Sequence, residues 1–306
     1  MSGTKLLDGF SGKLADRWAG AIFTPAFIFW LGGLLAALQH FSWREIEKLF
    51  SQLSEPQLIG LGLLSLLVIA ASGFVAQRFE FIVLRLLEGY WPSWCRLLSK
   101  RLLQRQKRRL RDVDKQLQDF NRQGLVNLTL EERQTYIQKD LQLLEFPEKG
   151  RLLPTRLGNV LRAAEDRCAV KYGLDAIICW PRLWLLLPDS TKTELSATRN
   201  ALNMTALLWT WSLLFLLWAP IFRVWWPLLL GMLSMWLAHR WMIQSAQVYG
   251  SLLESAFDLY RFQLYKALHW PLPKTPAEER DLGQKLTDYL WHGSEQTFPE
   301  FTDGKQ

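Results

Sequence analysis

Four long apolar stretches constrain this chain more than any other feature of its sequence. They run from Ala21 to Leu38, from Leu58 to Ala76, from Met204 to Phe222 and from Val224 to about Ala238. A helix needs roughly 20 predominantly apolar residues to cross the ~30 Å hydrocarbon layer of a bilayer. None of the four stretches contains Asp or Glu. We therefore expect an all-α polytopic membrane protein with four transmembrane helices in two hairpins.

The overall composition hides this organisation. With 49% hydrophobic and 21% charged residues, the chain has the average profile of a soluble protein. That average mixes spans almost free of charge with connecting segments that are dense in charge. The pattern predicts an N-terminal membrane hairpin (1–77), a cytoplasmic helical domain (78–199), a C-terminal membrane hairpin (200–245) and a cytoplasmic helical extension and tail (246–306).

The distribution of Lys and Arg near the spans predicts the orientation, because cytoplasmic loops carry an excess of these residues. Lys5, Lys13 and Arg17 precede the first stretch, and a dense basic run follows the second. The short turn between the third and fourth stretches carries only Arg223. We expect both termini and the long middle segment to be cytoplasmic, with the protein in a bacterial inner membrane.

The basic run directly behind the second stretch contains eight Lys or Arg residues and no acid. Basic residues at this position contact anionic lipid headgroups, at about 1 kcal/mol each near the surface. Nucleic acid makes the same electrostatic demand, but no nucleic-acid module accompanies the run, so lipid is favoured. The predicted lipid contacts are Arg96, Lys100, Arg101, Arg105, Lys107, Arg108, Arg109 and Arg111.

The connecting segments have a helical pattern and lack the alternation of period two that indicates β-strands. The second stretch should continue as a helix to about Glu88, and a further helix should run from Ser93 to about Arg122. Side-chain oxygens at a helix start accept hydrogen bonds from the first free backbone N–H groups. Such starts are indicated by the Thr129–Glu132 capping box, by Thr155 and by Thr275.

The most distinctive local sequence lies between residues 157 and 188. It reads LGNVLRAAED at 157–166, YGLDA at 172–176 and WPRLWLLLP at 180–188. In this segment the chain resembles a group of bacterial multi-span membrane proteins with a similar LGN…YGLDA…WPRLW…LP signature. The resemblance covers roughly a tenth of the chain. It implies a bacterial inner membrane, and it brings neither an activity nor site residues with it.

The physical reading of this segment leaves two alternatives open. Ile177 to Leu187 is too short to span a bilayer, and its Trp180, Arg182 and Trp184 suit an interfacial or re-entrant helix at the cytoplasmic surface. Burial beneath the other cytoplasmic helices is the alternative. Asp175 precedes Arg182 by two helical turns, which favours a helix cap or an ion pair over catalysis. A second group of charges predicts a charged helix face: Arg162, Glu165, Asp166 and Arg167.

No motif in the chain identifies a reaction. The nucleophile elbow, the phosphate-binding Walker loop and the zincin pattern are all missing from the sequence. Cys95, Cys168 and Cys179 lack the spacing of a zinc site, and we expect reduced, buried thiols. The four histidines are scattered. We therefore expect neither an enzyme nor a bound metal or cofactor.

Two functions from different classes remain. The first is a non-catalytic membrane anchor or scaffold, whose cytoplasmic helices associate with a soluble protein or with further copies of the chain. The second is an oligomeric pore or channel subunit, with a membrane effector as a variant of this hypothesis. Polar side chains within the spans are sparse, so any gate would be largely hydrophobic. The available lining consists of Thr24, Ser65, Ser72, Thr205, Thr210, Ser212 and Ser234.

Overall fold

A computed structural model describes residues 24–41, 51, 53–293 and 299–302. Every regular element among these residues is helical, which confirms the all-α prediction. The cations at positions 5, 13 and 17, and the start of the first apolar stretch at 21–23, lie outside the described residues. The helices are α1 (Pro25–His40), α2 (Glu55–Glu88), α3 (Arg96–Gln123), α4 (Leu130–Leu143), α5 (Arg156–Tyr172), α6 (Ala176–Leu186), α7 (Asp189–Phe215), α8 (Trp218–Phe222), α9 (Trp226–Ala267) and α10 (Pro276–His292).

Short-range capping signals set the starts of several helices. Thr129 accepts a hydrogen bond from the Glu132 backbone N–H, and the Glu132 carboxylate accepts one from the Thr129 backbone, which completes the predicted capping box of α4. Thr155 and Thr275 cap α5 and α10 by accepting a hydrogen bond from the backbone N–H three residues later, without the reciprocal bond of a capping box. Asp175 caps α6 through two backbone N–H groups, so its role is the cap and not an ion pair with Arg182.

Two helical stretches in the described part of the chain are long and apolar enough to cross a membrane. They are Glu55–Gln123, which contains α2 and α3, and Asp189–Phe222, which contains α7 and α8. The sequence predicted four spans. The first apolar stretch gives α1, which has 16 residues and rises only about 24 Å at ~1.5 Å per residue. The fourth stretch is the start of α9, where His239 and Arg240 soon follow.

The third apolar stretch was predicted from Met204 to Phe222, and the structure interrupts the helix within that range. Helix α7 ends at Phe215, and α8 starts at Trp218 after two turn residues. Pro220 has no backbone N–H to donate to Leu216, four residues earlier, and a proline ring clashes there in a regular helix. Residues 216, 217 and 219 instead donate three residues back, which tightens the chain into short turns.

The chain divides into two compact units, each built from two segments. The first comprises Met1–Leu84 and Asn203–Trp241. Its described core packs Ala26 of α1 against Leu207 and Trp211 of α7. The indole of Trp30 donates a 3.0 Å hydrogen bond to Ser72, joining α1 to α2. This unit therefore combines aromatic packing with a few hydroxyl contacts.

The second unit comprises Arg85–Leu202 and Met242–Gln306. Its core is a cluster of fully buried side chains from α5, α6, α9 and α10, centred on Phe257 and Tyr265. Gly158 allows the start of α5 to lie against the end of α2. A Cβ atom there would come within 1.9 Å of the carbonyl oxygen of Glu88. Thr155 donates a 2.7 Å hydrogen bond to that same oxygen, which fixes the crossing.

Candidate anion-binding cleft

All eight predicted lipid-contact residues lie on α3. Seven of them are exposed, and the eighth, Arg109, is half-buried and pairs with Glu145 at 3.4 Å. The opposite side of the helix buries Val113 and Leu117 in the α3–α4 hairpin. Because these positions are four residues apart, they share one face, and the unpaired cations occupy the others. The exposed cations are Arg96, Lys100, Arg101, Arg105, Lys107, Arg108 and Arg111.

The loop between α4 and α5 is fastened by two polar side chains of α5. Asp166, only 3% exposed, pairs with Arg151 at 2.8 Å and accepts a 3.1 Å hydrogen bond from the backbone N–H of Glu148. Asn159, also buried, accepts from the backbone N–H of Leu153 at 2.7 Å and donates to its carbonyl oxygen at 3.1 Å. Four contacts from these two side chains thus fasten the loop to α5.

Residues 162, 165, 166 and 167, predicted to form a charged helix face, are buried or half-buried in the structure. Asp166 is buried, Glu165 is half-buried, and Arg167 forms an ion pair with Glu254 of α9. Arg162 donates a 2.9 Å hydrogen bond to the hydroxyl of Tyr90. The charges of α5 therefore connect it to neighbouring segments, and their spacing alone did not reveal those partners.

Glu145 holds the beginning of the same loop. It is 8% exposed and accepts a 2.8 Å hydrogen bond from Nε of Arg156, together with a second contact from the same guanidinium. Gln247 of α9 donates to it at 3.0 Å, and Arg109 of α3 completes the set. One buried carboxylate consequently ties α3, α5 and α9 to the loop.

A cleft of about 560 Å³ lies between α3 and the fastened loop. Four cations line it and no carboxylate does. Among the residues that the structure describes, none of these four forms an ion pair or a side-chain hydrogen bond, whereas Arg109, Arg151 and Arg156 close by are all paired. The lining residues are Gln104, Lys107, Arg108, Leu110, Arg111, Lys149, Gly150 and Leu152.

Lys149 is the lining cation that sequence reasoning missed. It sits in a tight turn, closed by a 3.0 Å hydrogen bond from the Arg151 N–H to the Glu148 carbonyl. Gly150 has a φ of +105°, a backbone conformation that favours glycine. The Lys-Gly pair indicates a turn but not what the turn faces. Its position over α3 depends on Asp166, which follows many residues later.

A second groove, of about 690 Å³, lies between α3 and α4 and differs in its electrostatics. It also contains several cations, among them Arg105 and Lys139. However, Asp112 lines it, and Arg109 in its wall is already paired with Glu145. The cleft beside Lys149 is therefore the more uniformly positive of the two, and the better candidate for a bound anion.

Two neighbouring carboxyl groups of α5 have pKa values that are raised by burial. Burial raises the pKa of Asp166 above its ordinary value, while the Glu148 N–H and the Arg151 guanidinium act in the opposite direction. Burial also raises the pKa of Glu165, against the charge of Arg162, and the nearby Glu88 acts in the same direction as burial. None of these carboxyl groups lines the cleft.

Helix α6 carries the predicted interfacial residues Trp180, Arg182 and Trp184. One face of this helix is buried: Cys179 and Leu183 are fully enclosed in the core of the second unit. Trp180 and Trp184 are half-buried, Arg182 is exposed, and so are the apolar side chains at 177 and 185. The buried alternative holds for the inner face, and contact of the outer face with lipid stays a prediction.

Two of the three described cysteines are buried thiols of low reactivity. Cys168 and Cys179 are buried, and burial raises the pKa of their thiols to about 12 and about 11. Cys95 is half-buried. Within the described part of the chain, no three His, Cys, Asp or Glu side chains are grouped so as to hold a metal ion.

Several hydroxyl groups that the sequence offered as pore lining are bonded internally. Ser212 and Ser234 lie 2.7 Å apart in the first unit, and Ser212 also donates to the carbonyl oxygen of Leu208. Ser65 and Thr210 donate to backbone carbonyls four residues earlier. The pore hypothesis stays a prediction.

Comparison of the chain with protein-family models, with curated proteins and with solved structures finds no match. The class of the protein thus rests on the helical fold and on the arrangement of its charges.

Proposed function

We propose that this protein is a non-catalytic integral membrane scaffold of the bacterial inner membrane. In this proposal four helices cross the bilayer in two hairpins, both termini are cytoplasmic, and the second unit is a cytoplasmic helical domain. The observation that carries the proposal is α2: none of the residues in its most apolar 18-residue window is buried. Bare apolar surface of that length is unfavourable in water and ordinary in lipid.

The start of α3 supports a role at the membrane surface. Trp94 and Leu97 are 82% and 79% exposed. The exposed cations Arg96, Lys100 and Arg101 lie beside them in the sequence. Tryptophan favours the headgroup region, and the cations are attracted to anionic lipid.

The outer face of α4 supports self-association of the scaffold. Its exposed apolar side chains, Leu130, Ile137 and Leu141, repeat at helical spacing and form one stripe. Arg133 and Asp140 flank the stripe on one side. When two copies of α4 pair in antiparallel orientation, Arg133 of each copy faces Asp140 of the other. A second copy of the chain is therefore the occupant that the charges favour.

Alkaline carbonate washing of cell membranes tests the membrane assignment. The full chain should stay in the pellet, because lipid solvates its apolar helices. Recovery in the supernatant would refute the proposal.

Mass measurement of the detergent-solubilised full chain tests the self-association. We expect an oligomer that Ile137→Glu converts to a monomer, because a charge in the stripe opposes apolar pairing. Thr135→Glu is the matched control, since it adds the same charge to an exposed position of α4 outside the stripe. A monomeric wild-type chain, or equal effects of the two variants, would contradict the proposed pairing.

A further inference from the structure

The cleft between α3 and the α4–α5 loop has the charge of a specific anion site. Lys107, Arg108 and Arg111 approach it from the helix, and Lys149 approaches it from the loop. Surface cations usually stand singly in water and need no explanation. Here two segments that are distant in sequence place four unpaired cations around one concavity of about 560 Å³.

Buried contacts determine where the loop places Lys149. Asp166 binds the turn on both sides of Lys149, through the Glu148 N–H and the Arg151 guanidinium. The buried acids of this region are thus used by other arginines, including Arg156 on Glu145. The four cleft cations are left without a counter-charge among the described residues, and a bound anion would supply it.

We propose that the cleft lined by Lys107, Arg108, Arg111 and Lys149 binds an anion that carries two phosphate groups. A phosphodiester carries one negative charge at pH 7 and a phosphate monoester about 1.5 to 2, so two phosphate groups supply about two to four charges to the four cations. The volume falls within the range of pockets for small organic ligands and exceeds the need of a single small ion. The amide of Gln104 adds a neutral hydrogen-bond donor at the wall.

The two kinds of cation have different roles in this site. The arginines at 108 and 111 present planar forks that bind phosphate oxygens in pairs, whereas the lysines act as point charges. A ligand of this chemistry is either a lipid headgroup with two phosphates or a soluble diphosphate. The inference needs the basic face of α3 but does not require that face to touch a bilayer.

Calorimetric titration of the detergent-solubilised full chain with inorganic pyrophosphate tests the site. We expect saturable binding that weakens about tenfold or more in Lys149→Gln and in Arg111→Gln, because each removes a charged partner of the anion. Lys115→Gln is the matched control: it removes one exposed charge from α3 outside the cleft. Its affinity should stay within about twofold of the wild type, as expected for an exposed and screened charge.

Two results would overturn the inference. One is the absence of saturable binding by the wild-type chain. The other is equal weakening in the Lys149 and Lys115 variants, which would show attraction by net charge only. Failure of the membrane proposal would appear separately, in the carbonate wash.

Reconstitution in lipid discs then separates the two sources of the ligand. In discs that contain cardiolipin, whose headgroup carries two phosphates, pyrophosphate should bind more weakly than in neutral phosphatidylcholine discs if the lipid occupies the cleft. Equal affinity in both kinds of disc would support a soluble ligand. Either result supports the phosphate site once the variants have behaved as expected.

Discussion

Glu145→Gln is the most informative single change in the second unit, because this residue holds three helices and a loop together. Its carboxylate accepts from two atoms of Arg156, from Gln247 at 3.0 Å and from Arg109 at 3.4 Å. Glutamine keeps the shape and one acceptor oxygen. It replaces the other oxygen with an amide that points its own hydrogens at a guanidinium.

The magnitude follows from the burial of these partners. A hydrogen bond to a charged group contributes about 1.5 to 3 kcal/mol, and breaking a fully buried ion pair costs about 3 to 5 kcal/mol. Arg156 and Arg109 are each about one-third exposed, at 37% and 32%, which places this site below the fully buried limit. We expect a loss of about 2 to 3 kcal/mol, which lowers Tm by about 5 to 10 °C for a unit of this size.

Removal of the carboxylate also leaves two guanidinium groups facing each other. Burial and the charge of Arg156 already lower the pKa of Arg109, and Glu145 acts against both. Without Glu145 the repulsion is uncompensated, so the loss should shrink as salt concentration rises.

Thermal unfolding of the full chain in detergent measures the effect. Asp119→Asn is the control, because Asp119 and Arg122 lie 3.8 Å apart and are 51% and 78% exposed. An exposed pair of this kind contributes under ~1 kcal/mol, so Tm should change by no more than about 3 °C. A Glu145→Gln variant that melts with the Asp119 control would refute the interpretation of Glu145 as the anchor of the loop.

Three further predictions address packing, titration and thiol chemistry. Gly158→Ala should lower Tm by more than about 5 °C, since its Cβ would overlap the Glu88 carbonyl oxygen, whereas Gly60→Ala in an open helix position should leave Tm unchanged or raise it. Burial raises the pKa of Glu165, so its ionisation opposes folding; Glu165→Gln should melt above the wild type at pH 7, and the difference should vanish as pH falls towards about 4, measured by the same melts. A maleimide should label only Cys95 in the folded chain and all three cysteines after denaturation, as counted by mass; labelling of a buried cysteine under native conditions would contradict the burial.

The helices were predictable because their signals are local. The Thr129–Glu132 capping box and the Thr155 cap act over three residues, and the structure contains both. The interruption of the third apolar stretch at residues 216 and 217 was not predicted although Pro220 indicates it, because strong hydropathy outweighed the proline in the sequence argument. Two long apolar helical stretches emerge in the structure where the sequence predicted four spans.

The candidate site was only half predictable. The cations of α3 form a visible run, so Lys107, Arg108 and Arg111 entered the prediction as lipid contacts. Lys149 did not, because a single lysine in a turn carries no signal of its own. Its relation to α3 depends on the buried Asp166, which charge patterning identified only as part of a charged helix face.

The distinctive LGN…RAAED segment now has a structural explanation that bears on function. Gly158 admits the end of α2, and Asn159 and Asp166 hold the loop that carries Lys149. These residues spend their hydrogen bonds on backbone and guanidinium groups, which leaves them no free donor or acceptor pattern for chemistry on a ligand. Asn159 and Asp166 both bind the loop because positions seven apart lie on one face of α5, the face that the loop covers. Selection on this segment would therefore act through the shape of the cleft, and the groups that meet a ligand would be the cations it positions.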